Sequence, residues 1–207
     1  CMKTITCIIY VLFLSNIYSQ KFEFDVLTKY KLKNRESIVY SNSKHEDYVM
    51  YIQGNSEYKI AKLYDLKKMI LHKFDVKEVK SKNEVFFQFM YKSTNDMNFY
   101  KYWDKSKIQY EWISNNGLNG EIKLNIYKNY KKTKLLYTVY MKVQKSNVNL
   151  FHVFKFSCLH PFEFYRNFNI PENIIVKSSK IELSSGRLEE HSSLVYSKNI
   201  LFEIEIK

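Results

Sequence analysis

The stretch KFEFDVLTKYKL, residues 21–32, sorts its side chains by parity. Phe22, Phe24, Val26, Thr28, Tyr30 and Leu32 fall on one side of an extended chain, and Glu23, Asp25, Lys29 and Lys31 on the other. A helix would scatter these residues around its axis, whereas a strand separates them. The same alternation returns in Tyr48/Met50/Ile52, Ile122/Leu124/Ile126, Leu135/Tyr137/Val139/Met141/Val143 and Phe202/Ile204/Ile206. These runs are rich in the β-branched and aromatic residues that strands favour.

Short polar breaks with turn chemistry separate the runs: Gly54-Asn55-Ser56, Asp65 to Lys68, Lys80 to Asn83, Asp104 to Ser106, Asn115 to Gly120, Asn129 to Lys132 and Lys145 to Asn147. Asn116-Gly117 is the sharpest, because glycine freely takes the positive φ of a tight hairpin. From residue 47 to 157 the chain therefore reads as consecutive hairpins. The segment 160–172 interrupts them with both prolines, Pro161 and Pro171, and the aromatics Phe162, Phe164, Tyr165 and Phe168, and it predicts a short helix or a loop. Further strands follow at 174–184 and 193–206. The expectation is an all-β fold, a single curled antiparallel meander of about ten to twelve strands. So many twisted strands must form a half-barrel or barrel, or split into a sandwich. Such a curled sheet is similar in outline to periplasmic lipoprotein carriers, a likeness of architecture and not of motif.

The amino-terminal end has the anatomy of an export signal. Met2-Lys3 supplies the positive start, Ile5 to Leu14 is nearly all apolar and uncharged, and Ser15 to Gln20 is a polar break with the small Ser19 before the expected cut. The apolar run is short of the ~20 residues that span a bilayer. Residues 1–19 are thus expected to be a signal peptide and residues 20–207 a single β-rich domain without a transmembrane helix. The mature protein would be exported, to be periplasmic, attached to the outer membrane, or secreted. Cys1 precedes Met2 and carries no reading. Cys7 lies inside the apolar run, where lipid attachment would need it after the run. Cleavage leaves Cys158 as the sole cysteine, so no disulfide within the domain can form and the core alone must hold it.

The net charge of +12 includes only Lys3 from the leader. Nearly all the basic residues are lysine; Arg35, Arg166 and Arg187 are the three arginines, and Ala61 is the one alanine. Proteins that read phosphates and bases favour the bidentate arginine fork, so this balance argues against nucleic acid as a partner. Lysines concentrate in Lys59–Lys82 and Lys123–Lys145, interleaved with apolar residues as on a solvated sheet face. The same pattern leaves room for a lipid, a glycan or an anionic surface as partner.

The residues with chemistry to offer are few. His152, Cys158 and His160 share a parity if a strand continues through Phe156, which would set a thiol beside imidazoles. One strand cannot close three ligands around an ion, since same-face neighbours stand about 6.5–7 Å apart. Neither a catalytic group, a metal nor a cofactor is therefore assigned. His191 beside Glu189 and Glu190, and His45-Glu46-Asp47, read as exposed turns. With four glycines the chain has no phosphate-cradling loop. Trp103, Trp112, Tyr100 and Tyr110 gather around the Asp104–Ser106 turn and are the candidates for an aromatic ligand platform. The expected function is that of an exported, non-catalytic envelope protein, a binding or carrier module for an apolar or anionic ligand. A secreted hydrolase and an outer-membrane β-barrel are the alternatives.

Overall fold

A computed structural model describes residues 19–54, 58–81, 84–97, 107–128, 131, 134–159, 168–183 and 185–206. Eleven strands occupy them: β1 (Gln20–Leu32), β2 (Arg35–Ser41), β3 (Tyr48–Gly54), β4 (Lys59–Asp65), β5 (Ile70–Ser81), β6 (Glu84–Asp96), β7 (Lys107–Asn115), β8 (Asn119–Tyr127), β9 (Leu135–Lys145), β10 (Ile174–Leu183) and β11 (Leu188–Ile206). They form one antiparallel sheet in the order β6-β5-β4-β3-β2-β1-β11-β10-β9-β8-β7. The all-β meander is thus the observed architecture. Every neighbouring pair is consecutive in sequence except β1 with β11. The pairing is that of a barrel cut between β6 and β7, and the sheet is not closed.

Chain connectivity alone forbids a flat sheet. Ten inter-strand steps of about 4.8 Å would put the two edges roughly 48 Å apart. The link from Met97 to Lys107 can reach at most about 35 Å. The sheet must coil, and its central strands are consequently buried on both faces. In β3, Val49 and Tyr51 belong to one apolar cluster while Met50 and Ile52 belong to another. Val39 and Tyr40 of β2 divide the same way, as do Val26 and Leu27 of β1.

The first cluster is built around a helix. Helix α1 (Phe151–Cys158) lies between β9 and β10, and all eight of its residues are buried. It packs on β1, β2, β3 and β10. Phe154 meets the Tyr30 ring at 6.0 Å and Phe156 meets Tyr64 at 5.7 Å. The Tyr30 hydroxyl donates to the Val176 carbonyl at 2.8 Å, reaching past β11 to fasten β1 to β10. The sequence reading ran the meander through residue 157 and set the helix or loop at 160–172. The helix comes earlier, residues 160–167 lie outside the described residues, and 168–173 is irregular. A short apolar run such as FHVFKFSC has no periodicity that separates a buried strand from a buried helix. Here Asn149 decides locally, since its side-chain oxygen accepts from the Phe151 N–H at 2.9 Å and turns the chain into the helix.

The second cluster exists because β1 changes face. Its pairing with β11 slips between Phe24 and Val26, so that Phe24 faces Phe202 and Val26 faces Asn199. Pairing with β2 begins only at Val26. Phe22 and Phe24 therefore join the second cluster, while Val26, Tyr30 and Leu32 point into the first. The unbroken face expected for residues 22–32 is divided at Asp25. A bulge of this kind bends the strand and turns a sheet corner. The ribbon of early β1 and late β11 then crosses the face of β3 to β6: Phe22 meets Tyr48 and His72, Phe24 stacks on Phe202, and Phe202 reaches Phe89 of β6 at 5.3 Å. Side chains satisfy the freed backbone. Asn42 Nδ2 and the Tyr48 hydroxyl both donate to the Glu23 carbonyl, at 2.9 and 2.7 Å. The Asp25 carboxylate accepts from the Ser43 N–H and hydroxyl.

Replacing Asp25 with alanine removes both bonds to Ser43 and should lower stability by about 1–3 kcal/mol. Asp25→Asn, which keeps one acceptor, should lose less. Urea midpoints for the two variants, read with an unchanged slope, check this order.

Candidate functional site

Of the residues singled out for chemistry, His152 and Cys158 are not brought together. His152 and Cys158 lie six residues apart on α1, which separates them by about 9 Å along the axis and turns them to different sides of the helix. The condition for a shared face, a strand through Phe156, is not met. Burial pushes the Cys158 thiol up to about 12, and the Ser192 hydroxyl offsets only part of that. A reactive cysteine needs the opposite shift. The Cys158 carbonyl accepts from His191 Nε2, which fixes that imidazole as the Nε2–H tautomer. His160 lies outside the described residues. Glu189 and Glu190, beside His191, are taken up by Arg187 at 2.9 Å and Lys180 at 2.9 Å. Among the described residues no three His, Cys, Asp or Glu side chains group as a metal site.

Of the aromatic candidates, Trp103 and Tyr100 lie outside the described residues. Tyr110 and Trp112 share a face of β7 and pack half-buried against the first cluster. The indole lies across β8 over Gly120, where any Cβ would run into the ring. Its Nε1–H donates to Glu172 at 3.1 Å. Trp112 thus acts as a strap between the edge strand and the loop before β10.

A helical reading of residues 151–158 would have shown a different pair. His152 and Lys155 are one turn apart on a shared face of α1. Lys155 Nζ donates to the Phe168 carbonyl at 2.7 Å and lies 5.2 Å from the centre of that residue's ring. Burial pulls its ammonium down to about 8. His152 is pulled down to about 4, by burial first and then by Lys155. Its Nδ1 stands 3.8 Å from Glu46, which also receives Asn169 Nδ2 at 3.2 Å. These groups join the helix to the β2–β3 loop and to residues 168–170.

The lysine-rich stretches resolve into paired and unpaired residues. Lys59 is neutralised by Glu78 at 2.7 Å and Lys123 by Glu111 at 3.2 Å, and Lys92, between the two stretches, by Asp75 at 3.1 Å. Lys62 and Lys73 stand directly opposite each other on β4 and β5, both half-buried. Neither has a carboxylate within 4.0 Å among the described residues. Asp75, two residues along β5 on the same face as Lys73, is engaged by Lys92 and by the Tyr58 hydroxyl at 3.0 Å. Burial and the Lys73 charge together lower the Lys62 pKa. On this face Tyr51 precedes Lys62 in the lateral row and Ser93 follows Lys73. A second basic surface covers β8 to β10, where slips at Ile113 and Lys177 open a shallow depression of about 480 Å³. Lys142, Lys177, Asn115, Asn119 and Glu121 line it. Compared with known proteins, the chain matches no family model, no curated protein and no solved structure.

Two measurements follow from the buried groups. Cys158 in the native protein should resist a small alkylating agent near neutral pH and react at once when unfolded. Acidification should also destabilise the fold. Unfolded histidine takes up a proton near pH 6.5, while His152 in the fold does so only near 4. Its contribution is therefore complete above about pH 6.5 and drains away towards pH 4, by at most about 3 kcal/mol. His72, lowered by burial, acts in the same sense. His152→Gln should flatten the denaturation midpoint across that pH range.

Proposed function

We propose that this chain is an exported, non-catalytic binding module of the cell envelope and that it holds an anionic ligand at Lys62 and Lys73. The observation that carries the reading is the opposition of two half-buried ammonium groups in cross-strand register without an acid to separate them. Like charges directly opposite on adjacent strands are destabilising by up to about 1 kcal/mol, and partial burial strengthens the repulsion. An anion bridging the two turns that repulsion into attraction. A phosphate-bearing lipid headgroup and an acidic glycan offer the same charge to this pair. The unpaired edges of the sheet weigh against a membrane-spanning barrel, which requires closure. Export is supported by the uncharged run behind Lys3 and by the start of the first strand at Gln20, directly after the expected cut.

Binding to phosphatidylglycerol vesicles or to a sulfated oligosaccharide should be present at low salt and fall steeply as salt rises. Lys62→Ala should weaken binding while raising stability by a few tenths of a kcal/mol, because it relieves the repulsion. A variant that gains stability with binding unchanged rejects the site. Amino-terminal sequencing of protein made by its own host should begin at Gln20 or within a few residues of it.

A further inference from the structure

The two edges of the sheet are not alike. Edge strands that stay unpaired are usually guarded by charges, bulges or brevity. β7 is guarded, with Lys107 at its start, Glu111 at its middle and a slip at Ile113. β6 is thirteen residues long, and its segment 85–91, VFFQFMY, carries no charge, proline or glycine. The slip in its pairing with β5 comes only at Lys92, after that segment ends. Phe86 and Met90 are 52% and 48% exposed on the face shared with Val79, which pairs with Phe86 and is itself 40% exposed. Phe87 and Phe89 turn the other way, onto the second cluster.

We propose that β6 pairs antiparallel with β6 of a second copy of this chain, about a two-fold axis through Gln88. The sequence of the strand supports that occupant and that register. Residues 84–92, EVFFQFMYK, mirror themselves in character about Gln88. Pairing about this centre sets Phe86 across from Met90 and Phe87 across from Phe89, and in sequence it aligns acidic position 84 with Lys92, whose ammonium is shared with Asp75 of β5. Aromatic and aliphatic cross-strand pairs and opposite charges are the combinations that stabilise a sheet. Centring on Met90 would instead place positions 84 and 96, both acidic, together. The join continues the sheet of one copy into that of the other and covers Phe86 and Met90 on both. It is isologous and consumes the one unguarded edge of each copy, so assembly stops at two. A strand join of this length buries on the order of 1,000 Å² in total, the low end for a specific interface, where weak and reversible complexes are found. This inference is independent of the lysine site, which lies on β4 and β5.

Sedimentation velocity across roughly a hundredfold span of concentration around the micromolar should show a reversible monomer–dimer equilibrium. Phe86→Lys and Met90→Lys, changed at exposed positions, should each raise the dissociation constant tenfold or more with circular dichroism unaltered. Gln88→Cys provides a check that does not depend on weakening the protein. Its two copies would face each other at about 4.5–5.5 Å between Cα atoms, so a mild oxidant should link them. Phe86→Cys, with its copies about 13 Å apart along the strands, should not link. A monomer at every concentration overturns the proposal, as does a dimer indifferent to both lysine variants or a Phe86→Cys chain that links as readily as Gln88→Cys.

Discussion

The break in β1 at Asp25 is the constraint on which the rest of the sheet depends. A strand of thirteen residues with one continuous apolar face could serve one interior only. By slipping one position against β11, β1 gives Phe22 and Phe24 to one cluster and Val26, Tyr30 and Leu32 to the other. The corner leaves backbone groups without ladder partners, and these would be costly if buried unsatisfied. Asn42 and Tyr48, on or beside the β2–β3 connection, complete the Glu23 carbonyl, and Ser43 beside them holds the Asp25 carboxylate. The sequence of that connection is therefore bound to the geometry of a strand it does not continue.

The helix solves a complementary problem. Strands that coil around an apolar interior leave more volume than their own side chains can fill, and α1 fills it with Phe151, Val153, Phe154 and Phe156. Placing a helix there brings His152 and Lys155 inside as well. Lys155 keeps a carbonyl partner and an aromatic ring, and burial lowers both groups, Lys155 to about 8 and His152 to about 4, so that the imidazole is neutral at neutral pH. Burial of a neutral imidazole is far cheaper than burial of its cation. The acid sensitivity of the fold follows from that difference.

Strand existence was legible because period-two alternation is a local property. Tyr48, Met50 and Ile52, or Ile122, Leu124 and Ile126, declare their face without reference to any other element. Three things were not local. The Asp25 slip is set by the register of β11, where Phe24 meets Phe202 and Val26 meets Asn199, far away in sequence. The helix at 151–158 is buried on every side, its polar His152 and Lys155 included, which hides its period. Lys62 and Lys73 look like ordinary members of a solvated stretch until pairing sets them opposite each other. The candidate site was legible only as a lysine-rich stretch, because its chemistry is a relation between two strands and neither strand carries it alone.

The contrast between guarded and unguarded features joins the two proposals. Natural sheets keep like charges apart and keep free edges polar, because both faults cost stability or solubility. Elsewhere the chain offsets such faults: Lys59, Lys92 and Lys123 are each matched by an acid, Glu23 and Glu203, which also stand opposite each other, share Lys21, and β7 carries Glu111 at its middle and a slip near its end. It breaks the first rule only where β4 meets β5 among the described lysine pairs, and the second only along β6. Each fault could be relieved by a single substitution, a lysine-to-glutamate change or one lysine in VFFQFMY, and an occupant that cancels its cost accounts for both. For the lysine pair the occupant must be an anion. For the strand it must be another strand, and the mirrored character of residues 84–92 makes a second copy the simplest one that fits.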